Sequence, residues 1–329
     1  MTFLVGTRGS ALATAQAGDV ARWIAEATGE PAELVLVTTH GDVSRESLAS
    51  LGGTGVFATA LREFLLEGNC DLVVHSMKDL PTAPAPGLSI AAVPRREDAR
   101  DALCARDGLT LDELPRGARV GTGSPRRQAQ LRRRRPDIEV VDVRGNVDTR
   151  LGLVTSGRLD AVILAVAGLV RLGRDEHITE RFDLDDWPTA PAQGALAVEV
   201  RTSSLHDPRI RAAVAAIHDT DSALAAETER SVLARLDAGC AAPVGAHASV
   251  SADGITATAA VYALDGSEAL SLTRSAERAA LLAGSATDPA DDPYYGTSTT
   301  PPAGTAHHLG ASIAEALLDS GAAALAPLG

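Results

Sequence analysis

Short apolar runs alternate with longer amphipathic stretches along the first two thirds of this 329-residue chain. Runs such as FLVG, DLVV and AVILA are brief and rich in branched residues, which is typical of buried parallel strands. The stretches between them carry apolar residues at helical spacing. This alternation predicts an α/β fold with two doubly wound units. From about residue 206 the pattern changes to long helices followed by alternating strands, which predicts a smaller α+β C-terminal unit.

The connections between these runs give the expected domain boundaries. The strand GALAVEVR is expected to cross back and complete the first sheet, and the segment 95–101 is expected to be a hinge between the two sheets. We therefore assign residues 1–94 and 191–212 to domain 1, residues 95–190 to domain 2, and residues 213–329 to domain 3. Residues 283–305 are rich in Pro, Gly, Ser, Thr and Asp without periodicity, which indicates a flexible loop.

Composition excludes several classes of protein. The formal net charge of -13 argues against nucleic acid as a partner, because wide phosphate contact needs a basic face. The N-terminus starts directly with a strand and shows neither a basic leader nor a long apolar run, so we expect a cytoplasmic protein with no membrane contact. Three scattered cysteines form no disulfide framework and no zinc spacing, so we expect no metal. Any special cysteine is then a nucleophile or an attachment point.

Nine arginines lie between Arg119 and Arg150, in a protein that is acidic as a whole. Ser124 is expected to cap a helix with Pro125 in its first turn, which places Arg126 and Arg127 at the positive end of the helix dipole. Cations there are unfavourable unless an anion binds. The sequence therefore predicts an anion site at this helix start.

The same arrangement recurs twice. Arg144, Gly145 and Asn146 follow the strand IEVVDV and precede a helix that bears Arg150, and Arg8 lies just before a helix capped by Ser10. Strand-to-helix junctions are where open α/β sheets place their ligands. By contrast, a run of four arginines at 132–135 is predicted to be a solvated helix face.

The stretch HSMKDLP follows the apolar strand DLVV and forms the loop at its carboxyl end, where catalytic side chains are expected. Ser76, Lys78 and Asp79 are its polar candidates, and Asp79 is the only carboxylate. Lys78 is also the only lysine among thirty basic residues, which favours a position that needs a compact ammonium. An ordinary surface pair of Lys78 with Asp79, worth about 0 to 1 kcal/mol, remains the alternative.

Cys240 lies in DAGCAAPVG, directly after Gly239, the expected C-cap of a helix. Its small neighbours leave the sulfur accessible, whereas Cys70 and Cys104 belong to apolar strands. An inert buried thiol at Cys240 stays open as an alternative. A glycine-rich loop, LGGTGVF, is a weak signal that a flexible turn explains equally well.

Eight motifs together resemble one known family. The motifs TRGSALA, LGGTGVF, HSMKDLP, GTGSPRRQAQL, RGNVDTRL, AVAGLVRLG, APAQGALAVE and LDAGCAAPVG resemble, in order and spacing, the porphobilinogen deaminase (hydroxymethylbilane synthase) family. The resemblance covers almost the whole chain. It implies a monomer with two domains like periplasmic anion-binding proteins around a cleft, and a third domain that carries a dipyrromethane cofactor through a thioether to Cys240.

The resemblance also implies an activity. The enzyme would add four porphobilinogen molecules in turn, with loss of ammonia each time, and would then hydrolyse off the linear tetrapyrrole, hydroxymethylbilane. Its partners would be porphobilinogen and the oligopyrrole intermediates. Each pyrrole brings acetate and propionate groups, which suits bidentate arginines and helix N-termini. Loss of ammonia leaves an electron-poor azafulvene, and a nearby carboxylate such as Asp79 can assist protonation and stabilise the developing charge.

The resemblance assigns roles to individual residues of this sequence. Asp79 would be the catalytic acid. The cofactor would be bound by Cys240, Lys78, Asp79, Ser76, Ser124, Arg126, Arg127, Thr122 and Gly145. Substrate would be bound by Arg8, Arg144, Arg150, Gln193 and Phe57.

The chain departs from the family pattern at three positions and in one insertion. Thr54 stands where the family's glycine loop commonly has a lysine, Ser50 stands at a position that is often basic, and Gly123 replaces a frequent serine. These changes bear on how the glycine loop covers the site. The segment 283–305 is also unusual, and the sequence assigns it no role.

Two other classes of protein remain as alternatives. A non-catalytic anion-binding module of the two-lobed periplasmic type would need a signal peptide and has no use for an accessible Cys240. An RNA-binding protein using RRQAQLRRRR would need a basic domain with interleaved aromatic residues, and this stretch has none.

Overall fold

A computed structural model describes residues 1–37, 56–239, 242–278 and 306–328, with the side chains of residues 56 and 57 left undescribed. The described strands form two five-stranded sheets and one three-stranded sheet. Helices cover both faces of each five-stranded sheet, and further helices pack on the small one. The predicted fold class, two α/β units and a smaller α+β unit, is confirmed.

The strands are, in chain order, β1 (Phe3–Arg8), β2 (Ala32–Val37), β3 (Leu72–Ser76), β4 (Leu88–Ala92), β5 (Asp101–Ala105), β6 (Arg119–Gly121), β7 (Glu139–Val141), β8 (Ala161–Ala165), β9 (Glu180–Arg181), β10 (Leu196–Arg201), β11 (Val244–Val250), β12 (Gly254–Tyr262) and β13 (Ala269–Glu277). The α-helices are α1 (Ala11–Thr28), α2 (Val56–Leu66), α3 (Pro125–Arg134), α4 (Val147–Thr155), α5 (Val166–Arg171), α6 (Pro208–Ile217), α7 (Thr220–Arg235), α8 (Ala306–Asp319) and α9 (Ala322–Leu325). Short 3-10 turns cover Met77–Asp79, Arg106–Gly108, Asp175–His177 and Thr202–His206.

The first sheet has the strand order β2-β1-β3-β10-β4. Strand β1 pairs in parallel with β2 and β3, and β10 runs antiparallel between β3 and β4. The strand GALAVEVR therefore crosses back into this sheet, as the sequence predicted. Alternate residues of β3 face opposite sides, so Leu72 and Val74 pack with α1 and α6 while Val73 packs with α2.

The second sheet has the order β7-β6-β8-β5-β9. Strand β6 is parallel to β7 and β8, whereas β5 is antiparallel to β8 and β9. Leu131 of α3 is buried on one face, and Leu151 of α4 and Leu169 of α5 are buried on the other. Both units are thus doubly wound, and each sheet is mixed because one connection returns the chain in the opposite direction.

The third unit is the meander β11-β12-β13, covered by α7 and α8. The sequence indicated two of these strands but did not separate β13. The expected C-cap of α7 at Gly239 is wrong, because the helix ends at Arg235 and the left-handed residue is Asp237, with φ of 50°. Ala238 N–H donates to Leu233 O (3.1 Å), which closes the helix by a Schellman-type bond.

The arginine run at the end of α3 contacts the third unit. Arg132 and Arg133 donate to the carbonyls of Leu264 (2.5 Å) and Ser267 (3.3 Å) in the turn between β12 and β13. Arg133 and Arg134 are exposed, in agreement with the predicted solvated face, while Arg132 and Arg135 are partly buried. The run therefore also helps to hold the second and third units together.

Helix α7 joins the third unit to both others through the buried carboxylate of Glu229. Arg96, in the segment between the sheets, donates two hydrogen bonds to Glu229 (2.7 and 2.9 Å). The backbone N–H groups of Ala192 (2.6 Å) and Ala248 (2.7 Å) donate to the same carboxylate. Burial alone would raise the pKa of Glu229, but Arg96 and His247 hold that pKa at about 2.

No described helix is long and apolar enough to cross a membrane. The cytoplasmic location and the domain boundaries stay predictions, and the segment 283–305 lies outside the described residues.

We expect Glu229→Gln to change how stability depends on pH. The pKa of Glu229 is depressed in the folded state, so its contribution is complete above about pH 4.5 and is lost as pH falls towards 2. A shift of this size corresponds to roughly 3 kcal/mol. Denaturant unfolding at pH 7, 5, 4 and 3 should show a lower free energy of unfolding for the variant at pH 7 and a shallower slope below pH 5. Glu315→Gln, at an exposed pair with Arg235, is the control. Parallel curves for Glu229→Gln and the unaltered protein would contradict this account.

Candidate active site

Two arginines open helix α3 and lie inside the protein. The Ser124 side chain accepts a hydrogen bond from the backbone N–H of Arg127 (3.5 Å), and Pro125 stands at the start of the helix. The predicted cap is confirmed. Arg126 and Arg127 are only 2% and 6% exposed. Two cations are therefore buried at the positive end of a helix dipole.

The carboxylate of Asp101, at the start of β5, balances these two cations. Arg126 Nη1 donates to Asp101 Oδ2 (2.9 Å), and Arg127 Nη2 donates to Asp101 Oδ1 (2.5 Å). Trp187 Nε1 also donates to Oδ2, at 3.0 Å. Burial would raise the pKa of Asp101, but Arg126 and Arg127 hold that pKa far below its usual range. The anion that the sequence predicted at this helix start is thus supplied in part by the protein itself.

Gln193 links this cluster to the first sheet. Its Nε2 donates to Asp101 Oδ1 (2.8 Å) and to the carbonyl of Ala99 (2.8 Å). Its Oε1 accepts from Arg127 Nη2 and from Lys78 Nζ, both at 3.3 Å. Gln193 is fully buried in the loop before β10, so it fixes the position of one unit's site residues relative to the other's.

The loop after β3 presents two charges in different surroundings. Ser76 ends the strand and accepts from Gln16 Nε2 (3.4 Å). Lys78 is partly buried and points its ammonium at Gln193, whereas Asp79 is exposed. Lys78 is thus not a fully exposed side chain, and Asp79 still acts on it by raising its pKa against the effect of burial. The loop supplies a held cation and an accessible carboxylate.

A second helix start lies beside the first, because β6 and β7 are neighbouring parallel strands. Gly145 has φ of 109°, a conformation that favours glycine, and Asn146 caps α4 by accepting from Thr149 N–H (2.8 Å). Arg150 on α4 is partly buried. Arg144 is exposed, and its Nε lies 3.8 Å from Asp142.

The turn before α3 is tightly packed. Thr122 is fully buried, and its Oγ1 accepts from Ser124 N–H (3.3 Å). A Cβ atom on Gly123 would lie 2.6 Å from the carbonyl oxygen of Val143. The departure from serine at this position therefore matches a close backbone approach in this protein.

Arg8 and Arg171 are two further cations near these strand ends. Arg8 is the last residue of β1 and is partly buried, immediately before α1, whose cap at Ser10 is confirmed. Arg171 ends α5, and its Nη2 donates to the carbonyl of Gly194 (2.7 Å), next to Gln193. Neither Arg171 nor Asp101 could be selected from the sequence alone, because the contacts that distinguish them are made with residues distant along the chain.

Burial and mutual repulsion weaken the charged state of several of these cations. Burial lowers the pKa of Lys78; Asp79 and Asp101 oppose the effect, while Arg127 and Arg126 add to it. Burial likewise lowers the pKa of Arg126, against the attraction of Asp101. The pKa of Arg150 is lowered first by burial and then by Arg127. Additional negative charge in this region would be favourable.

On helices α3 and α4, three guanidinium groups retain an unused Nε donor. The Nε atoms of Arg126, Arg127 and Arg150 are buried and have no hydrogen-bond partner among the described residues. A buried N–H without an acceptor is unfavourable, and a carboxylate is its best partner. The residues present therefore fit a ligand that carries several carboxylates.

Some of the predicted site residues lie outside this description. Cys240, Thr54 and Ser50 are outside the described residues, and Phe57 is described only as part of the backbone of α2. The two described cysteines, Cys70 and Cys104, are both buried.

The protein has two doubly wound units and a small α+β unit. The strand ends of the two larger units meet at a cluster of cations that can bind carboxylates, and an accessible acid lies beside it. This fold and site define an anion-binding enzyme. The family model described as "Porphobilinogen deaminase, dipyromethane cofactor binding domain" matches residues 3–212, and "Porphobilinogen deaminase, C-terminal domain" matches residues 223–292. The chain belongs to the porphobilinogen deaminase family.

Relatives from several bacteria match nearly the full length. The chain is 56% identical to the porphobilinogen deaminase of Leifsonia xyli subsp. xyli over 98% of this chain and 94% of the relative. It is 50% identical to that of Micrococcus luteus, over 97% and 93%. Among solved structures, a periplasmic substrate-binding protein of an ABC transporter from Coxiella burnetii is similar with a TM-score of 0.43 and 13% identity, over 66% of this chain and 92% of that chain.

Family membership confirms the predicted activity. The protein is an enzyme of tetrapyrrole biosynthesis that forms hydroxymethylbilane from porphobilinogen and works with a dipyrromethane cofactor. Neither alternative class, a non-catalytic binding module or an RNA-binding protein, accounts for these matches.

We expect Asp101→Asn to destabilise the protein strongly. The substitution leaves Arg126 and Arg127 buried without their counter-charge, and breaking a buried pair in this way costs about 3 to 5 kcal/mol. Chemical unfolding at pH 7 measures the change. Asp112→Asn removes an exposed partner of Arg134 and should change stability by about 0 to 1 kcal/mol. Equal effects of the two substitutions would show that Asp101 does not balance the arginines.

Proposed function

We propose that Cys240 carries the dipyrromethane through a thioether and that Asp79 is the catalytic acid. The main support for a bound cofactor is that Arg126 and Arg127 each keep a buried N–H donor without a partner, although Asp101 balances part of their charge. A buried N–H without an acceptor is unfavourable, and a carboxylate is its best partner. The unused donors favour a bound polycarboxylate.

The cysteines support the assignment by contrast. Burial raises the pKa of Cys70 to about 11 and that of Cys104 to about 12, so neither thiol is disposed to ionise near neutral pH. Cys240 follows the end of α7 by five residues, in the third unit. Of the three cysteines it is the one whose sequence surroundings favour an accessible sulfur.

The cofactor's carboxylates would be held from two sides. On the second sheet we assign Ser124, Arg126 and Arg127 of the α3 start, with Thr122 and Gly145 shaping the two turns. On the first sheet we assign Ser76, Lys78 and Asp79. When bound, the dipyrromethane supplies the free pyrrole carbon to which the first porphobilinogen unit is joined.

Asp79 differs from Asp101 in its exposure to solvent, which an acid–base group needs in order to exchange protons. Asp101 accepts hydrogen bonds from four side chains and is fully buried, so it is committed to the charged form. Asp79 is exposed at the end of a short turn and can exchange protons with substrate. We assign to Asp79 the proton transfers at the pyrrole nitrogen and at the departing amino group, and the stabilisation of positive charge between them.

The incoming porphobilinogen and the growing oligopyrrole would be bound by residues at the remaining strand ends. We assign this role to Arg8, Arg144, Arg150, Gln193 and Phe57. The exposed Arg144 and the unused Nε of Arg150 offer donors beyond the cofactor-binding pair. Lys78 and Gln193 would orient the ring between the two units, since their side chains already bond to each other.

We further propose that the protein acts as a monomer in the cytoplasm, with domain boundaries at residues 94/95, 190/191 and 212/213. Sheet membership supports these boundaries, because β10 belongs to the first sheet and β5 to β9 form the second.

Intact mass spectrometry tests the attachment at Cys240. We expect the purified protein to exceed its sequence mass by two pyrrole units and to colour with acidic Ehrlich reagent. Cys240→Ser should have the sequence mass alone and no colour, whereas Cys70→Ser, at a buried thiol, should keep the added mass. An unmodified mass for the protein after supply of porphobilinogen would remove the thioether from the proposal.

Steady-state kinetics test the acid. We expect Asp79→Asn to lower kcat by about 100- to 10,000-fold, the usual contribution of a positioned acid, while the added mass on Cys240 remains. Glu67→Gln, at an exposed carboxylate of the same unit, should leave kcat unchanged. Turnover of Asp79→Asn within a few-fold of the unaltered protein would show that another group moves the proton.

A further inference from the structure

Arg230 of helix α7 is a buried arginine that faces the loop bearing Lys78 and Asp79. Its Nη1 donates to the carbonyls of Met77 (3.0 Å) and Leu80 (2.9 Å), and its Nη2 donates to the carbonyl of Pro81 (2.7 Å). The residue is only 3% exposed. One side chain of the third unit thus donates hydrogen bonds to three main-chain carbonyls of the first unit.

Of these three carbonyls, that of Met77 has a donor within the turn, whereas those of Leu80 and Pro81 lie beyond the turn's own hydrogen bond. The segment Met77–Asp79 is a single 3-10 turn, and its one internal bond runs from Leu80 N–H to Met77 O, at 3.2 Å. A turn this short leaves its last carbonyls without helical partners. A guanidinium presents several donors in a rigid plane, which suits three acceptors arranged around it, whereas an ammonium does not have this geometry.

Helix α7 is itself fixed on the other side of the site. The neighbouring Glu229 binds Arg96 and the backbone N–H of Ala192, directly before Gln193. Consecutive residues of one helix therefore hold the two loops that place Lys78 and Gln193, whose side chains meet at 3.3 Å. The same helix ends five residues before Cys240.

We propose that Arg230 is a positioning residue for the known reaction. It holds the backbone of residues 77–81 against α7, so that the Asp79 carboxylate keeps a fixed position relative to the group on Cys240. This inference rests on the roles proposed for Asp79 and Cys240. Arg230 acts through main-chain carbonyls of the loop, so its loss should reduce the chemical step more than substrate binding.

Four variants test the proposal. Arg230→Met removes the donors and keeps much of the side chain's length, and Arg230→Lys keeps the charge without the planar fork. Arg235→Met alters an exposed arginine of the same helix, paired with Glu315. Leu233→Ala opens a cavity in the core of the third unit and serves as a control for a general loss of stability. Intact mass gives the fraction of each variant that carries the cofactor, and kcat and KM for porphobilinogen are measured per loaded molecule.

We expect Arg230→Met to lower kcat by about 100-fold, the effect of misplacing a reacting group by roughly 1 Å, with KM changed by less than about 3-fold. Arg230→Lys should lower kcat by about 10-fold, since the three donors of a compact ammonium do not spread over the carbonyls as the planar guanidinium fork does. Amide hydrogen exchange in a peptide spanning residues 74–83 should be faster in both Arg230 variants. Arg235→Met and Leu233→Ala should keep kcat and the exchange of that peptide unchanged.

Several outcomes would overturn the inference. A kcat near that of the unaltered protein in Arg230→Met, or an equal loss in Leu233→Ala, would reduce Arg230 to a stabilising residue. If Arg230→Met does not fold, an unchanged kcat in Arg230→Lys would do the same. The acid role is judged separately, because full turnover in Asp79→Asn would reject that role while the exchange result for Arg230 still stands.

Discussion

The site depends on a charge imbalance inside the protein: one buried carboxylate, that of Asp101, faces two buried guanidinium groups. Without the carboxylate, two cations at a helix N-terminus would repel each other and the dipole in a region with little water. With one carboxylate, the cluster is stable enough to fold and still keeps an excess of positive charge. The pair of arginines is therefore held in place by the protein itself.

The third unit holds elements of both α/β units through its helix α7 and its β12–β13 turn. Adjacent residues of α7 carry opposite charges and bind different groups. Glu229 accepts from Arg96 and from the backbone N–H next to Gln193, while Arg230 donates to carbonyls of the loop that bears Lys78. At the other end of the site, the β12–β13 turn contacts the end of α3, the helix that begins with Arg126. The third unit thus contacts an element of each α/β unit that carries residues of the arginine cluster or of the Lys78 loop, so packed structure sets the spacing between those elements.

The parts of this arrangement that the sequence predicted are those decided locally. The caps at Ser10 and Ser124 depend on residues within one turn, and the strands depend on short apolar runs. Asp101 could not be found in this way, because its partners Arg126 and Trp187 are 25 and 86 positions away and its own neighbourhood resembles any strand start. The same holds for Gly123. As a departure from a family pattern it could not be interpreted alone, yet the carbonyl of Val143 beside it gives glycine a physical reason.

The cationic region stays unfavourable for further positive charge although the protein is acidic as a whole. Burial and neighbouring cations lower the pKa values of Lys78 and Arg150, and the nearby carboxylates of Asp79, Asp101 and Asp142 offset this only in part. An anionic ligand would relieve both effects, since its charge favours the protonated forms and its oxygens satisfy the buried Nε donors. Part of the free energy of binding then comes from relieving an unfavourable state of the free protein. By linkage, a ligand that binds only the folded chain also stabilises it, so a tethered cofactor would contribute to the fold as well as to the reaction.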